Sequence, residues 1–174
     1  MSSNSQQPNV VGFTIPKSYC SISECLAHGP SAIWCHLRPI LEDLPGEVDT
    51  LHFLSDGPAT QYKNKYMFYI LGTHLKTLFP NICNFTWNYF EAGHGKRAAD
   101  GIGAVCKRTA DRYVAQGNDL LNFHSLYSIL REKCPNVMIY KIFKNEIEEF
   151  KNKFIDQAKV KQFRGTMQVH QVSI

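Results

Sequence analysis

The sequence predicts one α/β domain with a mostly parallel sheet, and three observations carry that prediction. Short runs rich in β-branched and aromatic residues alternate with amphipathic stretches of a dozen residues or more, the order that builds strand-helix-strand units. Hydrophobic residues make up 44% and charged residues 20% of the chain, close to the averages for folded proteins, which excludes disorder, collagen-like sequence and coiled coil as readings of the whole. A length of 174 residues suits a single domain of ordinary size.

Residues 1–9 are polar and are expected to be disordered, so the domain spans 10–174. Val10-Val11-Gly12-Phe13-Thr14-Ile15 and Tyr19-Cys20-Ser21-Ile22-Ser23 read as extended segments separated by Pro16-Lys17. Pro30-Ser31-Ala32 opens a helix in which Ile33, Leu37, Leu41 and Leu44 recur at helical spacing; Pro39 lies inside it and Pro45-Gly46 stops it. Val48 to Leu54 reads as a buried strand running into the turn signal Ser55-Asp56-Gly57-Pro58. A helix from Thr60 to Phe79 follows, then the most strand-like stretch, Ile82 to Ala92. The next helix ends at Gly117, with Ile102, Val105, Cys106, Thr109 and Tyr113 on one face. Leu120 to Lys133 is a helix, Val137 to Phe143 a strand, Asn145 to Phe154 a charged helix, and Met167 to Val172 a last strand.

No apolar run approaches the roughly 20 residues that a membrane-spanning helix needs. Met1 to Gln7 also lacks the basic and apolar regions of a signal peptide. The expectation is an intracellular chain with no membrane partner, whose six cysteines are reduced. The formal net charge of +4 is compatible with a polyanionic partner and also with none.

In parallel sheets, functional residues collect beyond the carboxyl ends of the strands. Two places qualify: Asp56, and the segment from Glu91 to Asp100. Neighbouring strand ends lie on the order of 5 to 10 Å apart, so Asp56 and Asp100 can converge, and converging carboxylates bind Mg²⁺ or Mn²⁺ for displacement at phosphorus. Each has a plain alternative, Asp56 as a turn residue and Asp100 as an acid in the first turn of a helix. At about 100° per residue, Lys107 and Asp111 fall within about 20° of Asp100, with Arg108 and Arg112 at the shoulder. Together with Lys63, Lys65, Lys96 and Arg97 they form either a solvated face or a basic rim for phosphates. His94, between two glycines, is a candidate for proton transfer or metal ligation, or else a turn residue. Gly93-x-Gly95-x-x-Ala98 fits the start of a dinucleotide fingerprint, but no strand with a terminal acid follows about 20 residues on. A phosphate-binding GxxxxGK loop is excluded by Phe90, and Cys20-x4-Cys25-x2-His28 has too few ligands for zinc.

Leu54-Ser55-Asp56-Gly57-Pro58-Ala59-Thr60-Gln61-Tyr62-Lys63-Asn64-Lys65, followed by Trp87-Asn88-Tyr89-Phe90-Glu91-Ala92-Gly93-His94-Gly95-Lys96 and Asp100-Gly101-Ile102-Gly103, resembles a family of uncharacterised animal proteins derived from DDE-type transposable elements. The resemblance extends upstream through His28 to Leu37 and downstream to Lys107-Arg108-Thr109-Ala110-Asp111 and to Gly165-Thr166-Met167 and His170-Gln171. It implies a ribonuclease H-like mixed sheet flanked by helices, with a partial core to about residue 117 and a helix-strand-helix extension over 118–174. It also implies that Asp56 and Asp100 are the second and third metal-binding carboxylates, with His94 and Lys96 beside the scissile phosphate. Two departures stand out. No acid is available for the first carboxylate on a central strand, which leads us to expect an N-terminally incomplete core, and Arg97-Ala98-Ala99 replaces a glycine-rich stretch.

The resulting expectation is a nucleic-acid-binding domain, for DNA more than RNA, with a residual two-carboxylate Mg²⁺ or Mn²⁺ site and weak or absent phosphoryl transfer. If active, it would be a nuclease or strand-transferase. The alternative is a non-enzymatic protein-interaction module. An incomplete sheet also leaves an edge through which copies can associate.

Overall fold

The computed structural model describes residues 16–57, 61–90, 98–162 and 164–174. The expected strand over 10–15 and the polar stretch over 1–9 lie outside them. The remaining expected elements are present in the expected order, with their ends moved by a few residues. They are strand β1 (Tyr19–Ser23), helix α1 (Pro30–Glu42), β2 (Thr50–Ser55), α2 (Lys65–Leu78), β3 (Asn84–Tyr89), α3 (Ala98–Ala115), α4 (Phe123–Lys133), β4 (Met138–Ile142), α5 (Lys144–Phe154) and β5 (Gln171–Ser173).

Local chemistry sets the ends. Helix α2 starts at Lys65 and not Thr60 because Asn64 is its cap, its Oδ1 accepting from the backbone N–H groups of Tyr66 and Met67 at 3.1 Å each. Before α4, Asn122 Oδ1 accepts from Ser125 N–H while Ser125 Oγ accepts from Asn122 N–H, a reciprocal cap. Gly117 takes a φ of 84° just beyond α3, a left-handed turn that a side chain would strain. The last strand is shorter than expected because a 3₁₀ turn, Thr166–Gln168, precedes it.

The α/β class holds, but the strands divide between two sheets instead of forming one mixed sheet. β1 pairs with β4 in parallel. β2 pairs with β3 in parallel, and β3 pairs with β5 antiparallel. Partner choice explains the division: among the described residues no strand joins β2 to β4. The stretch read as a C-terminal extension thus supplies β4 and β5, one to each sheet.

Side chains of α1 join the sheets. In the larger core, Trp34 of α1 meets Trp87 of β3 edge-on at 6.0 Å between ring centroids and stacks on Phe79 at 6.2 Å. Met67, Ile70, Leu71 and Leu75 of α2 are buried in the same cluster. On the other side of α1, His36 Nδ1 lies 2.8 Å from Ser21 Oγ of β1 and Cys35 Sγ donates to the Glu146 carbonyl of α5. A smaller core packs α3 and α4 onto the β1–β4 pair through Cys106, Leu130, Cys134 and Ile139. Burial raises the Cys106 thiol to about 12, with Cys20 and Cys134 adding to the shift, so it stays protonated and behaves as a small apolar group.

Alternation along β3 makes the larger sheet two-faced. Phe85, Trp87 and Tyr89 are buried, while Asn84, Thr86 and Asn88 point the other way. That second face is a polar lattice in which His52 Nδ1 lies 2.7 Å from Thr86 Oγ1 and Asn88 Nδ2 donates to Thr86 Oγ1 at 3.3 Å.

Candidate functional site

The two parallel strands β2 and β3 run in register, Thr50 opposite Asn84 and Ser55 opposite Tyr89, so their carboxyl ends lie at one edge of the sheet. Asp56 leaves that edge directly and is exposed. Its backbone is fixed from both sides. Ser55 Oγ donates to the Asp56 carbonyl at 2.7 Å and accepts from Trp87 Nε1 at 2.8 Å, while the Ser55 carbonyl accepts from Phe90 N–H at 2.9 Å.

The side chains around this end are more buried than the motif reading required. Lys63 is only 7% exposed, with its Nζ 5.2 Å from the centroid of the Tyr89 ring. Gly57 lies so close that a Cβ built on it would stand 2.6 Å from Lys63 Cε. Tyr89 is 6% exposed and its hydroxyl is buried with no hydrogen-bond partner among the described residues. Burial pushes the Tyr89 phenol up to about 12. The Tyr62 phenol is also raised, first by burial and then by the negative charge of Asp56.

Asp100 sits in the first turn of α3 and is exposed. Of the expected basic rim, Lys107, Arg108 and Arg112 are exposed on α3, and Lys107 is tied to Asp111 by a 2.9 Å ion pair one turn on. Lys65 is half-buried, its Nζ 4.9 Å from the centroid of the Tyr66 ring. Lys63 is the exception: it lies inside the strand end and not on a rim. His94, Lys96 and Arg97, together with the Gly93-x-Gly95 motif, lie outside the described residues. Sequence reasoning missed Tyr89, although the alternation that buries Phe85 and Trp87 places it on the same face; it also missed the link between Ser55 and Trp87, which depends on strand register.

Among the described residues, no group of three His, Cys, Asp or Glu side chains is placed to hold a metal ion, and no helix is long and apolar enough to cross a membrane. A cavity of about 850 Å³ opens elsewhere, at the amino end of β2, walled by Leu41, Leu51, Phe79, Ile82, Phe150 and Phe154. It is remote in the fold from Asp56, at the opposite end of the same strand.

A family described as a domain of unknown function, DUF8701, matches residues 12–174. No curated protein and no solved structure matches the chain.

Proposed function

The chain belongs to the DUF8701 family, and on that premise we propose that it is a transposon-derived nucleic-acid-binding domain of ribonuclease H-like ancestry, for DNA more than RNA, with little or no phosphoryl-transfer activity. One observation carries the reading: parallel, in-register pairing of β2 and β3 sends Asp56 and the chain leading to Asp100 from the same sheet edge. Supporting it are the exposed cations Arg108 and Arg112 on the helix that carries Asp100. Asp56 and Asp100 would hold one largely hydrated Mg²⁺ or Mn²⁺ ion, the mode in which one or two carboxylates suffice. A two-metal pair needs further donors, which the described residues do not gather.

The test is retention of duplex DNA and RNA by the purified chain across a salt series, with a nuclease assay in Mg²⁺ or Mn²⁺ alongside. Binding that weakens steeply with salt, without cleavage, is the expected result. Absence of binding at low salt overturns the nucleic-acid reading, and robust cleavage abolished by Asp56→Ala overturns the inactive one.

A second reading, a protein-interaction module, rests on the edge of β2. The carbonyls of Asp49 and Ser55 bond toward β3. Strand geometry then turns the backbone groups of Thr50, His52 and Leu54 the other way, where no strand pairs among the described residues. β2 contains neither proline nor lysine, the residues that ordinarily protect an edge, and its Leu54 is 61% exposed. A second copy adding its own β2 there would make the chain a dimer, which light scattering after size-exclusion chromatography detects.

A further inference from the structure

From the carboxyl end of β2 and β3 we infer that Lys63 and Tyr89 form a buried binding site for a single phosphate-type oxyanion. The inference deepens the nucleic-acid reading and rests on it only for the source of the phosphate.

The Tyr89 hydroxyl is an unsatisfied buried donor, and the Lys63 ammonium lies against the same ring. An ammonium carries three N–H donors and no acceptor, and a phenol carries one donor. Lys63 is 93% buried and Tyr89 is 94% buried by the same measure. Among the described residues Lys63 ion-pairs with no carboxylate, and its Nζ lies 5.2 Å from the centroid of the Tyr89 ring. The Tyr89 hydroxyl likewise finds no partner among them. Leaving a buried hydroxyl unpaired is costly. An acceptor that is anionic and has several oxygens would take the Tyr89 hydroxyl and the Lys63 ammonium together, and phosphate is the common group that fits this description.

The surroundings agree with an oxyanion of this size. Gly57 contributes no side chain at the closest approach, where a Cβ would stand 3.1 Å from Lys63 Nζ. The site lies at the carboxyl end of parallel strands, where α/β proteins place ligands. Trp87 stacks on the Tyr89 ring at 6.2 Å, and Tyr62 in turn packs on Trp87 at 5.7 Å between ring centroids. The Asp56 carboxylate leaves the same strand end but makes no ion pair with Lys63, so the lysine charge remains available for an added anion.

The experiment titrates inorganic phosphate into the full chain in a phosphate-free buffer by calorimetry, with sodium chloride at matched ionic strength as control, and repeats it for Lys63→Met and Tyr89→Phe. Saturable binding is expected, weakened about tenfold or more in each variant, the effect of one charge-assisted hydrogen bond. Tyr89→Phe also removes an orphan donor while keeping the ring, so its melting midpoint without phosphate should equal or exceed that of the parent. If Lys63→Met fails to fold, Tyr89→Phe decides alone. No saturable phosphate binding, or unchanged affinity in the folded variants, overturns the inference. Phosphate binding without DNA retention upholds the inference and sinks the nucleic-acid reading; DNA retention without a phosphate response does the reverse.

Discussion

Trp87 Nε1 donates a 2.8 Å hydrogen bond to Ser55 Oγ across the parallel pair of β2 and β3, and the same Ser55 hydroxyl donates to the Asp56 carbonyl. This half-buried serine ties the buried Trp87 to the start of the candidate site. Trp87 is 1% exposed, so Ser55→Ala strands a buried indole N–H. The expected cost is about 1–3 kcal/mol of stability, the penalty for an unpaired buried donor. Urea unfolding should show a lower midpoint with an unchanged slope.

His36 should make the protein acid-sensitive near neutrality. Burial, the dominant cause, lowers its pKa below the ordinary 6.5, with Glu146 opposing weakly, and its Nδ1 meets Ser21 Oγ at 2.8 Å. The unfolded chain therefore takes up this proton first as pH falls. Stability from this group is present in full above about pH 7 and is lost progressively as pH falls through 6.5 toward the lowered folded value. Melting midpoints between pH 8 and pH 5 should fall for the parent, and His36→Gln, which keeps a polar group facing Ser21, should flatten that slope.

If Arg108 and Arg112 on α3 touch nucleic-acid phosphates, their replacement has a quantitative signature. Each phosphate contact adds about 0.9 to the slope of log affinity against log salt for duplex DNA. The double variant Arg108→Gln, Arg112→Gln should therefore lower the slope by about 2, roughly independent of DNA sequence. Lys107 is held by Asp111 at 2.9 Å, so Lys107→Gln should change the slope less than either arginine.

The element order was legible in the chain because each element carries its own periodicity, as in β3, where Phe85, Trp87 and Tyr89 alternate with Asn84, Thr86 and Asn88. Pairing was not legible. Nothing local to Tyr19–Ser23 announces that its partner is Met138–Ile142, more than a hundred residues away, because either strand would pair equally well elsewhere as far as composition goes. For the site, the turn after β2 identified Asp56, whereas the burial of Lys63 was hidden. A lysine amid Gln61, Tyr62, Asn64 and Lys65 reads as surface, and only the approach of Gly57 and the Tyr89 ring places it inside.

That approach gives the last prediction. Gly57 does not hold a positive φ, so alanine there is conformationally allowed and any penalty is steric. Its Cβ would stand 2.6 Å from Lys63 Cε, so the end of the lysine side chain must move away from Gly57 and from its place over the Tyr89 ring. Gly57→Ala should cost about 1 kcal/mol, the low end for overpacking, because the group that must move is the end of a flexible side chain. Against a Lys63→Ala background the clash is gone, and what remains is the gain of about 0.4–1 kcal/mol from restricting the unfolded chain. The sign of the Gly57→Ala effect should therefore reverse between the two backgrounds in a double-mutant cycle read by denaturant unfolding. Equal cost in both backgrounds would mean that Lys63 does not occupy the space beside Gly57.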